Sequence, residues 1–261
     1  MEISFSGKSA IVTGGSRGIG KGIALALAES GAGVTIVGRD ERQLSAARDE
    51  IAAAAPRTRI ETFAGDVGDA ATATRCVAAV KESFGSVDIL VNNAPPGGQG
   101  RLMEISVADM DAAAATGPRA IVLWTRAAWV AWMKDHGGVV VNVASVAADV
   151  VERRIAYYSA VKSAVIVLTQ HLAAELGPNV RVNAVSPGWI LNRGDETGFA
   201  QHGDKLAPML PLQRLGEPAD LARVVVFLAS DLAGYVSGQN IAVDGGRMSA
   251  YSLFTMGTGR T

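Results

Sequence analysis

Short apolar, β-branched runs alternate along this chain with segments whose apolar residues recur at helical spacing. The runs are SAIVTGG (9–15), GVTIVGR (33–39), RIETFAG (59–65), VDILVNN (87–93), GVVVNVAS (138–145), VRVNAVSPG (180–188) and QNIAVDGG (239–246). Between them lie alanine-rich or amphipathic segments such as Gly18–Ser30, Glu41–Ala54, Ala70–Phe84 and Tyr158–Leu176. Strands apolar on both faces, alternating with helices, predict a doubly wound α/β fold. Its core is expected to be a seven-stranded parallel sheet, with right-handed crossovers placing helices on both faces. No linker or internal repeat divides the chain, so residues 1–261 are expected to form a single domain.

Two stretches depart from this alternation. Trp189–Gly216 is long, contains several Gly and Pro, and carries scattered apolar residues. A loop of this kind beside the carboxyl ends of strands is expected to cover a ligand. The second stretch, AAAATGPRAI at 112–121, begins as a strong helix and then inserts Gly-Pro. In a helix interior these residues cost about 1 and about 3 kcal/mol. A bend is expected there.

Bulk properties narrow the partners. The 24 Lys+Arg nearly balance the 25 Asp+Glu, for a net charge of −1, so neither a nucleic-acid nor a membrane surface is implied. The lone cysteine, Cys76, excludes an intrachain disulfide framework and reads as a small packed residue. MEISFSGKSA lacks the apolar run of a signal peptide. AIVLWTRAAWVAWM carries Arg126 and is too short to span a bilayer. These features predict a cytoplasmic protein. His136, His171 and His202 have no metal-ligand spacing, and no metal is expected.

The first run leads into TGGSRGIG, Thr13 to Gly20. Gly14, Gly18 and Gly20 fall on a strand-to-helix turn, where glycines let the backbone approach a pyrophosphate. The helix N-terminus offers free N–H groups and partial positive charge to an anion. Ser16, Arg17 and Ile19 complete the candidate cradle. The spacing Thr-Gly-x-x-x-Gly-x-Gly resembles the signature of the short-chain dehydrogenase/reductase family. GDV after the third run, NNA after the fourth, YSAVK with an upstream Ser145, SPG at 186–188 and YVSGQNIAVDGG near the end match it in order. The resemblance spans about residues 5–247, with 3-oxoacyl-carrier-protein reductases among the similar members. It implies a Rossmann-type fold and a nicotinamide cofactor.

An acid usually ends the second strand of a dinucleotide fold, to bind the ribose 2′-OH. Here Gly38 stands where NAD-type members of the family tend to place Asp, and Arg39 follows it. Arg39 and Arg17 suit the 2′-phosphate of NADP(H), since guanidinium pairs bidentately with phosphate. Asp40 could instead pair with Arg39, or cap the next helix, and both arginines could simply be solvated. The resemblance further implies that Asp66 and Val67 contact the adenine. Asn93 and Ala94 would line the ribose side, and Pro187, Gly188 and Ile190 would meet the carboxamide. Asn192 holds a place the family often gives to Thr.

Tyr158 and Lys162 are four apart, hence on one helix face and about 6 Å apart at the backbone. Tyr157 points elsewhere. A free tyrosine, with a pKa of about 10, is a poor base near neutrality. A neighbouring ammonium is expected to lower that value. Such a tyrosine can give a proton to a carbonyl oxygen or take one from an alcohol. The family spacing matches Ser145 to Tyr158, with Ser145 holding the substrate oxygen and Lys162 the nicotinamide ribose. The alternative for the pair is an ordinary helical surface contact.

The chain leaves the family pattern at two further places. NNAPPGGQG has Pro95 where Gly is usual, so Pro95 and Pro96 either reshape the pocket or stiffen a loop. Alignment also puts Gly117 where the family has a catalytic Asn, whose backbone carbonyl is thought to hold a water joining Lys to solvent. Gly117-Pro118 either reproduces that bend and water site or weakens the relay.

The resulting expectation is an NADP(H)-dependent oxidoreductase acting on a ketone/secondary alcohol pair. Trp189, Ile190, Leu191, Phe199, Leu206, Met209 and Leu210 make the candidate lid apolar, which suits a substrate with an apolar body. A cofactor-binding regulatory or scaffold protein with little catalysis is the alternative, on the strength of Gly117 and Pro95. The resemblance implies a homo-oligomer, a dimer or tetramer. Trp124, Trp129 and Trp132 are read as core or interface residues, and the apolar tail 247–261 as docking on a neighbour or over a pocket.

Overall fold

The structure, a computed structural model, describes the backbone of residues 3–191 and 198–249, and the side chains of the same residues except 198–201. Every predicted strand forms: β1 (Ser9–Thr13), β2 (Gly33–Gly38), β3 (Ile60–Ala64), β4 (Ile89–Asn92), β5 (Gly138–Val143), β6 (Val180–Pro187) and β7 (Asn240–Val243). They join one parallel sheet in the order β3-β2-β1-β4-β5-β6-β7. Period-two burial explains why the strands read as continuous apolar runs. Ala10 and Val12 of β1, with Ile89 and Val91 of β4, enter one core. Ile11 and Leu90 enter the other.

Helices α1 (Gly18–Glu29) and α2 (Glu41–Ala54) cover the first face, and α3 (Ala70–Phe84) covers the second. After β4 come α4 (Val107–Ala114), α5 (Ala120–Ala128) and the short α6 (Lys134–His136). α7 (Ala156–Leu176) starts two residues before the expected Tyr158. α8 (Gly198–Leu206) lies within the segment expected to be a loop, and α9 (Pro218–Ala229) packs on the first face against α1. The ends of that segment are zipped together. Leu191 N–H donates to Gly216 C=O at 2.7 Å, and Gly216 N–H to Trp189 C=O at 2.9 Å. Asn192 and residues 250–261 of the tail lie outside the described residues.

The Gly-Pro break is a π-helical turn, Ala115–Arg119, between α4 and α5. Its i→i+5 spacing steps the backbone ladder over the N–H that Pro118 lacks. Gly117 has φ −95° and ψ −108°, outside the helical range, so the helix bends there and then resumes. A second π turn, Trp129–Met133, precedes α6.

From β1 the chain moves outward through β2 to β3, and from β4 it moves the other way. A crevice therefore opens at the carboxyl ends of β1 and β4, where ligands bind in open α/β sheets. The wall beneath the second face is anchored by Trp124, fully buried, whose Nε1–H donates to Val67 C=O at 3.0 Å. Trp124→Phe leaves that carbonyl unpaired and opens a small void. It is expected to cost about 2–3 kcal/mol in unfolding free energy, read from urea melts. A change below about 0.5 kcal/mol would show that the wall does not depend on this contact.

Candidate active site

The glycine turn is built on close approach. Gly14 (φ +64°) and Gly18 (φ +53°) adopt left-handed backbone that other residues avoid. A Cβ on Gly14 would meet Ala94 Cα at 2.9 Å, and one on Gly20 would strike the Gly14 carbonyl and Asn93. Asn93 staples the turn: its Nδ2 donates to the carbonyls of Thr13 at 2.9 Å and Gly14 at 3.1 Å. Its side chain thus holds the turn, and its backbone N–H is held in turn by Thr13 Oγ1 at 2.9 Å.

Capping separates α1 from its neighbours. Asp40 caps α2, Asp69 caps α3 and Ser106 caps α4, each through side-chain oxygens that accept backbone N–H groups. No side chain caps α1. Its first-turn donors remain available to an anion, beside a turn no Cβ obstructs. Arg17 and Arg39 are exposed, and neither makes an ion pair among the described residues. Asp40 is engaged as a cap by Arg42 and Gln43 N–H, at 2.9 and 3.0 Å, which settles the role sequence left open. A Cβ on Gly38 would have Ser16 Oγ at 3.7 Å, so Ser16 and Gly38 face one another across the turn.

The other candidates fall on the same rim. Asp66 is exposed and accepts from Gly68 N–H at 2.8 Å, while Val67 is buried over α5. Pro187 ends β6. Gly188 lies so near β7 that a Cβ would meet Asp244 at 2.7 Å. Ile190 pairs with Gly216 and is 5% exposed, and Leu210 is equally closed in at 3%. These two lid candidates pack inward. Trp189, Leu191, Leu206 and Met209 stay partly exposed. Phe199's side chain lies outside the described ones.

Ser145, Tyr158 and Lys162 converge where β5 ends and α7 begins. Ser145 caps a 3-10 turn, accepting from Ala147 N–H at 3.1 Å, and its hydroxyl lies close enough to the Tyr158 phenol to influence its titration. Lys162 is 4% exposed, with Nζ donating to Val143 C=O at 2.6 Å and lying 5.8 Å from the Tyr158 ring centroid. Tyr157 turns away and packs by Gly98.

The electrostatics differ from the simple expectation. Burial pushes the Tyr158 phenol above its ordinary value, partly opposed by the Ser145 hydrogen bond. Burial also pulls Lys162 down to about 7. Both shifts have one cause, since a site dry enough to disfavour phenolate disfavours ammonium too. In the protein alone, Tyr158 is therefore held as a neutral proton donor.

The residue after the departure at Pro95 meets the departure at Gly117 in space. A Cβ on Gly117 would collide with Val161 Cγ1 at 2.5 Å and have Pro96 Cβ at 3.5 Å. Pro96 and α7 therefore fill the volume a side chain at 117 would need. The rest of the NNAPPGGQG loop docks on α7: Gly98 C=O accepts from Tyr158 N–H at 3.1 Å, and Gly100 N–H donates to Arg154 C=O at 2.6 Å. Under Pro96 lies a cavity with about 10 Å³ open to the centre of a water molecule. Asn92, Thr116, Gly117 and Lys162 line it.

Sequence reasoning missed one cluster at the rim. Arg247, 11% exposed, is paired with Glu152 and lies over the Trp189 ring, 4.3 Å from its centroid. It ties together the segments that follow β5, β6 and β7. Nothing local in the sequence marks residues so distant as partners.

Comparison with known proteins shows the family to which the chain belongs. A family model described as enoyl-(acyl carrier protein) reductase matches residues 14–248. The 3-oxoacyl-[acyl-carrier-protein] reductase of Staphylococcus aureus is 35% identical over 92% of this chain and 97% of its own. Among solved structures, L-sorbose reductase from Gluconobacter frateurii, complexed with NADPH and L-sorbose, superposes with a TM-score of 0.87 at 30% identity. That match covers 95% of this chain and 99% of the other. A 7α-hydroxysteroid dehydrogenase complexed with NADH and 7-oxo glycochenodeoxycholic acid gives 0.86 at 30% identity, covering 94% and 96%. The chain belongs to the short-chain dehydrogenase/reductase family of oxidoreductases, whose members use a nicotinamide cofactor. No helix among the described residues is long and apolar enough to cross a membrane.

Burying Lys162 carries a stability signature. Its folded pKa of about 7 lies below the unfolded 10.5, so between them the unfolded chain binds more protons. The destabilisation is full below pH about 7 and is relieved as pH rises toward 10.5. Relative to wild type, Lys162→Met is expected to gain Tm most at pH 6–7, with the gap narrowing toward about pH 9–10. Calorimetry across that range is the check, and a pH-independent gap would contradict a charged, buried Lys162.

Proposed function

We propose that this protein is an NADP(H)-dependent carbonyl reductase/alcohol dehydrogenase, acting on a ketone or secondary alcohol with an apolar body. The observation that carries the reading is the contact set of Ser145, Tyr158 and Lys162 beside an uncapped, glycine-lined α1 N-terminus. When bound, the cofactor supplies or accepts hydride at the carbonyl carbon. Ser145 holds the carbonyl oxygen, and Tyr158 gives its phenolic proton to that oxygen as the alcohol forms. A phenol held neutral by burial suits this reductive direction. Lys162, whose Nζ lies 5.8 Å from the Tyr158 ring centroid, would favour the proton transfer through its charge and would hold the cofactor's ribose.

NADP(H) is favoured over NAD(H) by what stands at the end of β2. Gly38 supplies no carboxylate, Asp40 is engaged as a cap, and Arg17 and Arg39 are exposed with no acid paired to them among the described residues. Two guanidinium groups without a competing acid suit a 2′-phosphate. Relatives named for both NADPH and NADH complexes leave that choice to these residues. The partly exposed apolar residues Trp189, Leu191, Leu206 and Met209 support the apolar substrate body. We further place the protein in the cytoplasm as a homo-oligomer, a dimer or tetramer. The alternative of a non-catalytic cofactor-binding protein rests on Gly117 and Pro95, and the assembled Ser145–Tyr158–Lys162 set weighs against it.

A panel of ketones followed by NADPH absorbance tests the reading. Turnover is expected, with Tyr158→Phe lowering kcat by at least about 100-fold and Tyr157→Phe changing it less than about threefold. Arg17→Ala and Arg39→Ala are each expected to weaken NADPH binding about 5–10-fold while leaving NADH binding nearly unchanged. Tight NADPH binding with no turnover would favour the non-catalytic alternative, and a marked preference for NADH would refute the arginine argument.

A further inference from the structure

The substrate side of the crevice follows from the sheet order. The glycine turn stands at the end of β1, and Ser145 at the end of β5. β6 and β7 lie beyond β5, so the segments that follow them wall the site on the side away from the glycine turn. There the Arg247 cluster gathers one residue from beyond each of three strand ends. Glu152 comes from the loop between Ser145 and Tyr158, Trp189 from the start of the candidate lid, and Arg247 from the turn after β7.

The backbone on both sides of the indole is fixed. Gly188 N–H donates to Val243 C=O at 3.0 Å, and Trp189 C=O accepts from Gly216 N–H at 2.9 Å. The freedom left to Trp189 is that of its side-chain bonds. Asp244 builds the turn that delivers Arg247. Its carboxylate accepts from Gly246 N–H at 2.9 Å and Met248 N–H at 2.7 Å, the residues on either side of Arg247. Gly245 and Gly246 supply the left-handed backbone this winding needs, with φ +66° and +84°. A guanidinium has a flat face and a donor edge, so it can cover a ring and pair with a carboxylate at once. Here the guanidinium carbon lies over the Trp189 ring, 4.3 Å from its centroid, and Nη2 meets Glu152. The Arg247 side chain is 11% exposed, so salt screens this arrangement little.

Burying charge is expensive even in a pair, and an apolar residue of similar volume is often as good for stability. What an apolar residue lacks is direction. The ion pair ties the indole to the loop that joins Ser145 to Tyr158. We propose that Arg247 is a positioning residue for Trp189, and that the Glu152–Arg247–Trp189 cluster thereby sets the width of the substrate pocket. With the indole held in one rotamer the wall is rigid, and the site favours slim ketones over bulky ones. Released from Arg247, the indole samples other rotamers and the wall yields. Arg247 acts through Trp189 and does not touch the reacting atoms. The effect on substrate choice rests on the function proposed above, whereas the fixing of the indole does not.

Substrate selectivity and indole accessibility test this. Cyclohexanone and the bulkier bicyclic decalone are compared as substrates with NADPH. Arg247→Met keeps much of the side chain's length and removes its charge. It is expected to shift the ratio of kcat/KM values toward decalone by about 5–10-fold, with the Kd for NADPH changed less than about twofold. Trp189→Ala is expected to shift the ratio at least as far, and Arg247→Lys, which keeps the cation, to stay within about threefold of wild type. Glu152→Gln added to Arg247→Met is expected to change the ratio by less than about twofold further, because the pair is already broken. Mere loss of stability lowers both ketones alike and leaves their ratio unmoved. Thermal melts confirm that the variants compared are folded. Acrylamide quenching of the Trp189 component, taken as the difference between proteins with and without Trp189→Phe, reads the indole directly. Arg247→Met is expected to raise its quenching constant about twofold. Folded Arg247→Met or Trp189→Ala with wild-type selectivity overturns the pocket role, and unchanged quenching overturns the positioning of Trp189. If no ketone is turned over, the functional reading fails while the quenching still decides whether Arg247 fixes the indole.

Discussion

One threonine oxygen holds the sheet together at the place where the chain divides. β4 ends at Asn92, and the next two backbone N–H groups have no strand to pair with. Thr13 Oγ1 takes both, from Asn93 at 2.9 Å and Ala94 at 3.2 Å, while itself donating to Val91 C=O at 3.3 Å. Asn93 returns the contact by binding the carbonyls of Thr13 and Gly14. The knot fixes the carboxyl ends of β1 and β4 relative to one another, although the chain leaves those strands in opposite directions. The glycine turn can be thin because it is fastened from the side. Its glycines remove side chains from the ligand's path, and Asn93 supplies the rigidity they forgo. On the far side of the same strand end, Asn92 points into the cavity beside Lys162. Two consecutive asparagines thus serve opposite faces, as the period of a strand requires.

Much of this was legible in the sequence. All seven strands and the helices α1, α2, α3 and α7 could be read to within two or three residues. The reason is that a parallel sheet buried on both faces writes its strands as unbroken Val/Ile runs, and amphipathic crossovers write theirs at helical spacing. Tyr158 and Lys162 could be placed on one face because helical geometry is local. α8 was not visible within Trp189–Gly216, where a short helix surrounded by Gly and Pro has too few turns to show a period. The π turn at Ala115–Arg119 was legible only as a disturbance. Gly-Pro announces that the ladder is interrupted but not whether the helix stops or bends and resumes.

What stayed hidden was hidden for a common reason. The side-chain hydrogen bonds linking Asn92, Asn142 and Thr169 and the Arg247–Glu152–Trp189 cluster join residues from different elements, and only strand register and loop packing bring them together. The protonation of the site was hidden too. Spacing put an ammonium beside a phenol and suggested that the first would acidify the second. The depth of burial then decided the matter, since desolvation disfavours the charged form of both groups.

The packing of Pro96 against Gly117 follows from that dryness. A polar side chain at 117 would have to enter the space between Pro96 and Val161, which the structure fills with carbon. Closing that space lets α7 approach the π turn, so Lys162 is pressed inward until Val143 C=O becomes its hydrogen-bond partner. The same closure leaves Tyr158 N–H to be satisfied by Gly98, so the proline-glycine loop sets the start of the helix that carries the tyrosine. Changing Gly117 alone would wedge α7 outward, and changing Pro96 alone would open the cavity above Lys162. The two residues are one solution to one packing problem. A chain with a side chain at 117 must move α7 or trim Val161, and in either case it changes how dry Lys162 is kept.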